Sequence, residues 1–146
     1  MDCKRLLADA GGKALLSLDG PPEAAEAAAR ELGYFCVRID GGSVPDQAAL
    51  LGRLARELHF PDYFGQNWDA LQDCLTDLPD WLPAPGYVIV FTDAEAVCRR
   101  RREDLSALKD VLGSAAQFWR EQEPPRSFKV VFLGSAPLSS GGATTS

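Results

Sequence analysis

The sequence holds one histidine, His59, so a ribonuclease-type mechanism that passes a proton between two imidazoles is closed to it. Its four cysteines, Cys3, Cys36, Cys74 and Cys98, form no C-x-x-C pair, which argues against a disulfide framework or a zinc site. Cys36 and Cys74 fall among apolar residues, where a free thiol behaves as a small hydrophobe. There is no glycine-rich loop of the kind that cradles phosphate, and no cluster of ligands at metal spacing, so neither cofactor nor metal is expected. Long hydrophobic runs are missing as well. The opening stretch MDCKRLLADAGGKALL carries Asp9 where an apolar export segment would need to be unbroken, and nothing later reaches the length of a membrane span. The expectation is a protein of the reducing cytoplasm, with no membrane contact. Positive charge is the remaining shortage: 15 Lys and Arg stand against 21 Asp and Glu, a net charge of −6. A phosphate backbone needs a basic field, so direct nucleic-acid binding is disfavoured. A basic protein partner suits the charge, because opposite sign accelerates encounter; mild acidity is also common in soluble proteins generally.

What is present is enough for one domain. The chain has 146 residues, 46% of them hydrophobic, and can bury a core without disulfide or metal support. Ala14–Leu18 (ALLSL) reads as a short strand, stopped by Asp19-Gly20-Pro21-Pro22. A helix follows to Leu32, with proline at its start and Gly33 placed to end it. Tyr34–Ile39 (YFCVRI) is a second strand, broken by Asp40-Gly41-Gly42, and Pro45–Leu58 a second helix with Leu50, Leu51, Leu54 and Leu58 on one stripe. The two units resemble each other, each a strand, a DG turn, a proline and a helix closing on A-R-E-L. Tyr87–Phe91 (YVIVF) is continuously apolar, as a strand buried on both faces should be. Asp93 to about Arg100 reads as a short helix, and Glu103–Gln122 as a long one with Leu105, Leu108, Val111, Leu112, Ala115, Phe118 and Trp119 in register. Phe128–Leu133 (FKVVFL) is the last strand. Alternation of strands and helices predicts an α/β fold: a small, mostly parallel sheet covered by helices. The first strand could join an edge in either direction, since its helix is barely long enough for a parallel crossover.

Between these units lies FPDYFGQNWDALQDCLT, Phe60–Thr76. A helix from Asn67 to about Leu78 puts Trp68, Leu71, Leu75 and Leu78 on one arc, and Asp69, Gln72, Asp73 and Thr76 on a separate, roughly opposite one. Asn67 suits the N-cap, and Asp69 the positive end of the helix dipole. Amphipathic helices ordinarily turn carboxylates to water, so the pair alone is compatible with a solvated face. Three features point further. Asp69 and Asp73 are like charges four residues apart, which repel slightly. No lysine or arginine lies on the helix to offset them, and Tyr63 and Phe64 precede it in a loop whose turn geometry does not require aromatics.

The run D-Y-F-G-Q-N-W-D-A-L-Q-D-C-L-T resembles, without a gap, the Y-x-G-x-N-x-D-A-L-x-D-C-L-T signature of barstar-type inhibitors of the ribonuclease barnase. The order of elements from about Tyr34 to Gly134 fits as well. The resemblance implies an intracellular inhibitor that inserts an acidic helix into the active site of a basic ribonuclease or toxin nuclease. Asp73 would take the place of the substrate phosphate among arginines and the catalytic histidine, and Asp69 would pair with a further arginine. Tyr63 would pack over that histidine, while Asn67 and Thr76 supply hydrogen bonds at the rim. Phe64, Gly65 and Gln72 complete the expected partner-binding set. Three positions depart from the pattern: Gln72 stands where the family has tryptophan, Trp68 replaces a smaller apolar residue, and Arg120 falls near an interface glutamate, with Glu121 and Glu123 close by.

The expected organisation is a strand–helix extension over residues 1–33 within the same domain, a barstar-like unit over 34–134, and a small polar tail over 135–146. The expected function is ribonuclease inhibition without turnover, the chain not being an enzyme. The alternatives are a protein-interaction module of the same fold that has lost a nuclease partner, and a hydrolase using Asp69 and Asp73. His59 is expected in a capping or surface role, and the basic run Arg99–Arg102 as a solvated junction pairing with nearby acids.

Overall fold

An uninterrupted apolar strand can be satisfied only by cover on both of its faces, and YVIVF obtains it. In the computed structural model, which describes residues 3–9, 12–61 and 65–134, strand β3 (Gly86–Thr92) is buried from Gly86 to Phe91. It lies inside a four-stranded sheet of order β1-β4-β3-β2, where β1 is Leu15–Leu18, β2 Phe35–Asp40 and β4 Ser127–Leu133. Every neighbouring pair is parallel. The α/β expectation holds, and the open question of the first strand is answered: β1 joins the β4 edge in parallel, with Leu16 opposite Val131.

Topology then assigns the helices to faces. Helix α2 (Pro22–Leu32) links strands at opposite edges of the sheet, whereas the later crossovers step back through β3 to β4. Parallel crossovers are right-handed, so reversing their direction puts their helices on opposite faces. Helix α2 and the short α1 (Cys3–Ala8) cover one face, with Ala25, Ala28, Ala29 and Leu7 against Val88, Val90 and Val131. Small alanines let α2 lie close to the strands. Helices α3 (Gln47–Glu57), α4 (Trp68–Thr76) and α5 (Arg102–Arg120) cover the other face, over Ile39, Ile89, Phe91 and Val130. Each fully buried large apolar side chain there contributes about 1.5–3 kcal/mol.

Local signals end the elements as their chemistry dictates. Gly33 caps α2 at φ 76°, a left-handed conformation that glycine takes without steric cost. Asp40 accepts from the Gly42 amide, and Asp46 accepts from the Ala49 amide at the start of α3. A side chain at Gly41 would meet the Asp93 carbonyl oxygen at 2.2 Å, so the turns after β2 and β3 meet where only a glycine leaves room. On the edge strand β2, Arg38 pairs with Glu23 and Glu26 of α2. That charge blunts an edge otherwise open to pairing, and the Arg38 hydrogen bond holds the Glu26 carboxyl below its ordinary value.

Three features differ from the sequence expectation. Helix α1 was not anticipated; its Leu7 is buried and its Leu7 carbonyl accepts from Ser127 Oγ at 2.6 Å, a contact made across 120 positions. The residues from Asp93 to Arg100 form one short 3₁₀ turn, Ala94–Ala96, and then irregular turns. Asp93 and Cys98 have positive φ, 49° and 54°, which no α-helix can contain. Finally, Phe118 leaves the apolar stripe of α5 and is 37% exposed. The expected tail, 135–146, lies outside the described residues.

Lys129 interrupts the apolar run of β4 and is buried at 1% exposure. Its Nζ donates to the Lys13 carbonyl at 2.8 Å, and burial pushes its pKa below the ordinary lysine value. With Ser127, it ties the N-terminal segment to the last strand.

Candidate functional site

Helix α4 begins where the sequence says it should. Asn67 is in extended conformation, and its Oδ1 accepts from the Ala70 amide at 2.7 Å, capping one of the orphan donors of the first turn. Gln66 just before it has φ 54°, a strained value for a side chain with Cβ, and Gly65 is exposed at the same bend. The helix ends at Thr76, and Leu78 belongs to a separate 3₁₀ turn, Leu78–Asp80.

One side of α4 is locked into the core. Leu71 and Leu75 are fully buried, Cys74 is 3% exposed, and Trp68 is half-buried against the same cluster. The Trp119 indole of α5 donates from Nε1 to the Leu75 carbonyl at 3.1 Å, satisfying one of the four carbonyls a helix leaves unpaired at its C-terminus. Burial, then the Asp77 and Asp73 carboxylates, push the Cys74 thiol pKa up. The approach to α4 is pinned too. Trp81 Nε1 donates to the Leu58 carbonyl at 3.1 Å, and the Phe60 ring meets Trp81 edge-on at 6.3 Å. His59 occupies a left-handed position at φ 58°, and the Phe60 amide reaches back to the Ala55 carbonyl, the pattern that ends a helix. His59 is thus a terminator of α3.

The other side of α4 faces outward. Asp69 and Asp73 are exposed, and Gln72 and Thr76 half-buried. Among the described residues neither carboxylate has an ion-pair or hydrogen-bond partner. Thr76 donates its hydroxyl back to the Gln72 and Asp73 carbonyls, at 3.2 and 3.0 Å, which leaves its oxygen to accept. Asn67 has the converse balance, its oxygen engaged by the cap and its Nδ2 only 3.5 Å from the Gly65 carbonyl, too long for a good bond. The outward side of α4 therefore presents two carboxylates unpaired among the described residues and a free acceptor, and its N-cap an available donor. Asp69, Gln72, Asp73 and Thr76 share the outward side of α4, with Asn67 capping its start and Gly65 two residues before the cap. Tyr63 and Phe64 lie outside the described residues.

The other sequence candidates sit elsewhere. Arg100 pairs with Asp46 at 3.0 Å and Arg101 with Glu103 at 3.7 Å, so this basic run is partly neutralised by acids. Arg120 closes α5, and Glu121 follows it with its carboxylate 3.2 Å from Gln117 Nε2. No group of three or more His, Cys, Asp or Glu side chains among the described residues could hold a metal ion. No helix there is long and apolar enough to cross a membrane. The exposure of Phe118 goes against its place in the predicted apolar stripe; its position at the flank of that stripe was the available signal.

Fold and site together define a small parallel α/β domain that presents one acidic helix, core-anchored behind and unpaired in front. Residues 34–132 match the model of the Barstar family, described as barstar (barnase inhibitor). The chain belongs to that family. It is also 50% identical over 44 residues to "Putative ribonuclease inhibitor YrdF" of Bacillus subtilis (strain 168), an alignment covering 28% of this chain and 48% of the relative. The match thus spans about half the length of that curated relative.

Proposed function

We propose that this chain binds a basic ribonuclease and blocks its active site by seating α4 in it, acting by occupancy and without turnover. The observation that carries the reading is the pair of exposed carboxylates, Asp69 and Asp73, unpaired among the described residues on a helix whose other side is fixed in the core. Preorganisation of that kind costs no ion pair on docking, and the rigid backing limits the entropy lost. In the bound state Asp73 fills the place of the substrate phosphate. Arginines that would clamp phosphate clamp a carboxylate with the same bidentate geometry. Asp69 pairs with a second cation, Asn67 Nδ2 donates and Thr76 Oγ1 accepts at the rim, and Tyr63, Phe64, Gly65 and Gln72 complete the contact. Net charge of −6 steers a basic enzyme toward this face. Inhibition takes place in the cytoplasm and protects the producing cell from its own toxic nuclease.

The family's tryptophan position is held by Gln72, half-buried and polar, and this favours one second reading: a protein-interaction module of the same fold without a nuclease partner. RNA cleavage by barnase and other purified basic ribonucleases, with and without the chain, separates the two. Stoichiometric inhibition by wild type, lost in Asp73→Ala and reduced in Asp69→Ala, supports the inhibitor. Wild type that inhibits no ribonuclease, or variants that inhibit as well as wild type, would refute it.

A further inference from the structure

Helix α2 carries three carboxylates and a single guanidinium, Arg30, and the carboxylates are all paired away from it. Glu23 and Glu26 turn to Arg38 of β2, and Glu31 meets Lys4 of α1 at 3.6 Å. Glu26 stands four residues before Arg30, the favourable order for a pair within a helix. Yet both of its carboxylate oxygens are engaged by Arg38, one of them by Nε at 2.8 Å. Arg30 is left exposed, without an ion pair or hydrogen bond among the described residues. The negative end of the α2 dipole favours a cation in this last turn, but it requires nothing beside it.

What lies beside it is a cavity of about 300 Å³ lined by Glu26, Arg30, Tyr34 and Cys36, at the small end of ligand-sized pockets. Its aromatic wall is fixed. The Tyr34 amide donates to the Ala29 carbonyl at 2.9 Å, and a side chain at Gly86 would meet the Tyr34 ring at 2.7 Å, so the ring is seated over a glycine. The Tyr34 hydroxyl has no hydrogen-bond partner among the described residues. Burial, then the Glu26 charge, push the Cys36 thiol up to about 11, so it stays neutral at physiological pH. With Glu26 neutralised by Arg38, the groups left open are donors, and they carry one positive charge. That balances a monoanion, whereas a second negative charge would stand uncompensated beside Glu26. We infer that this cavity binds a small planar carboxylate, clamped by the Arg30 fork, with the Tyr34 hydroxyl donating to the same group and the Tyr34 ring against the planar body. Tyr34 and Cys36 pack with α2 on the face of the sheet opposite α4, so the site does not depend on the inhibitor reading.

The test is an amide NMR titration of the full chain with sodium benzoate, sodium acetate and inorganic phosphate at constant ionic strength, on wild type, Arg30→Gln and Tyr34→Phe. Benzoate should shift the Arg30, Tyr34 and Cys36 amides saturably, and acetate, which lacks the ring, should bind more weakly. Loss of the charge-assisted bonds should raise the benzoate Kd by about tenfold or more in Arg30→Gln. The neutral bond lost in Tyr34→Phe should raise it by about threefold or more. Arg30 pairs with nothing among the described residues, so Arg30→Gln should melt with wild type; should it not fold, Tyr34→Phe decides. Absence of saturable benzoate binding, shifts confined to other residues, an unchanged Kd in the folded variants, or phosphate bound as tightly as benzoate would each overturn the site.

Discussion

Asn67→Ala removes one hydrogen bond, from Oδ1 to the Ala70 amide at 2.7 Å, and orphans a donor at the start of α4. Loss of an N-cap costs about 0.5–2 kcal/mol. Asn67 is exposed, so water partly replaces the lost oxygen, and about 1 kcal/mol is the expected loss. In a chain of this size that lowers the melting temperature by roughly 2–4 °C. Asn67→Asp separates the cap from the rim contact. Its carboxylate still accepts from Ala70 and interacts favourably with the helix dipole, so stability should match wild type. The Nδ2 donor is gone, however, and with it the proposed hydrogen bond to the ribonuclease. The assay is thermal unfolding followed at 222 nm, paired with inhibition of RNA cleavage. An Asn67→Ala protein that melts with wild type, or an Asn67→Asp protein that melts as low as Asn67→Ala, would refute the capping role. An Asn67→Asp protein that inhibits as strongly as wild type would refute the rim hydrogen bond.

Two further outcomes follow from the packing of α4 and the buried thiols. Trp119→Phe keeps an aromatic ring but leaves the Leu75 carbonyl without its donor, at a cost of about 1–3 kcal/mol; denaturant unfolding should show it as a lower midpoint, and an unchanged midpoint would contradict the bond. Burial pushes the Cys98 thiol up to about 11, with the Asp104 and Asp46 carboxylates adding to the effect. A raised acid contributes stability that is full below its unfolded value of 9.0 and is lost as pH rises through about 11. Stability should therefore fall across that window, by less in Cys98→Ala, and equal slopes would contradict the assignment.

The legible parts of this fold are those whose causes are local. YVIVF announces a doubly covered strand by composition alone, Gly33 ends α2 because only its own φ matters, and Asn67 caps α4 through a contact three residues away. The parts that escaped depend on distant partners. Six residues of α1 carry one buried side chain and are tied down by Ser127, which no window around Cys3–Ala8 contains. The side and direction of β1 are decided by its register with β4. Asp93 and Cys98 take left-handed conformations that the helical pattern around them does not demand, so a plausible helix became turns. For the candidate site, helical phasing separated the carboxylates from Leu71 and Leu75 correctly, since periodicity alone determines it. The same reasoning placed Phe118 inside, because a stripe drawn at helical spacing does not say where the neighbouring helix stops covering it.

The proposed inhibition turns on Asp73 plugging a ribonuclease active site. Its most direct test is the inhibition constant of Asp73→Ala against that of wild type, measured on the same basic ribonuclease with both proteins shown to be equally folded. Truncating one member of a buried, hydrogen-bonded charge pair costs about 2–5 kcal/mol or more. A loss of roughly thirtyfold to several-thousandfold is expected, with wild-type affinity falling as salt rises. An Asp73→Ala protein that inhibits as tightly as wild type would contradict it.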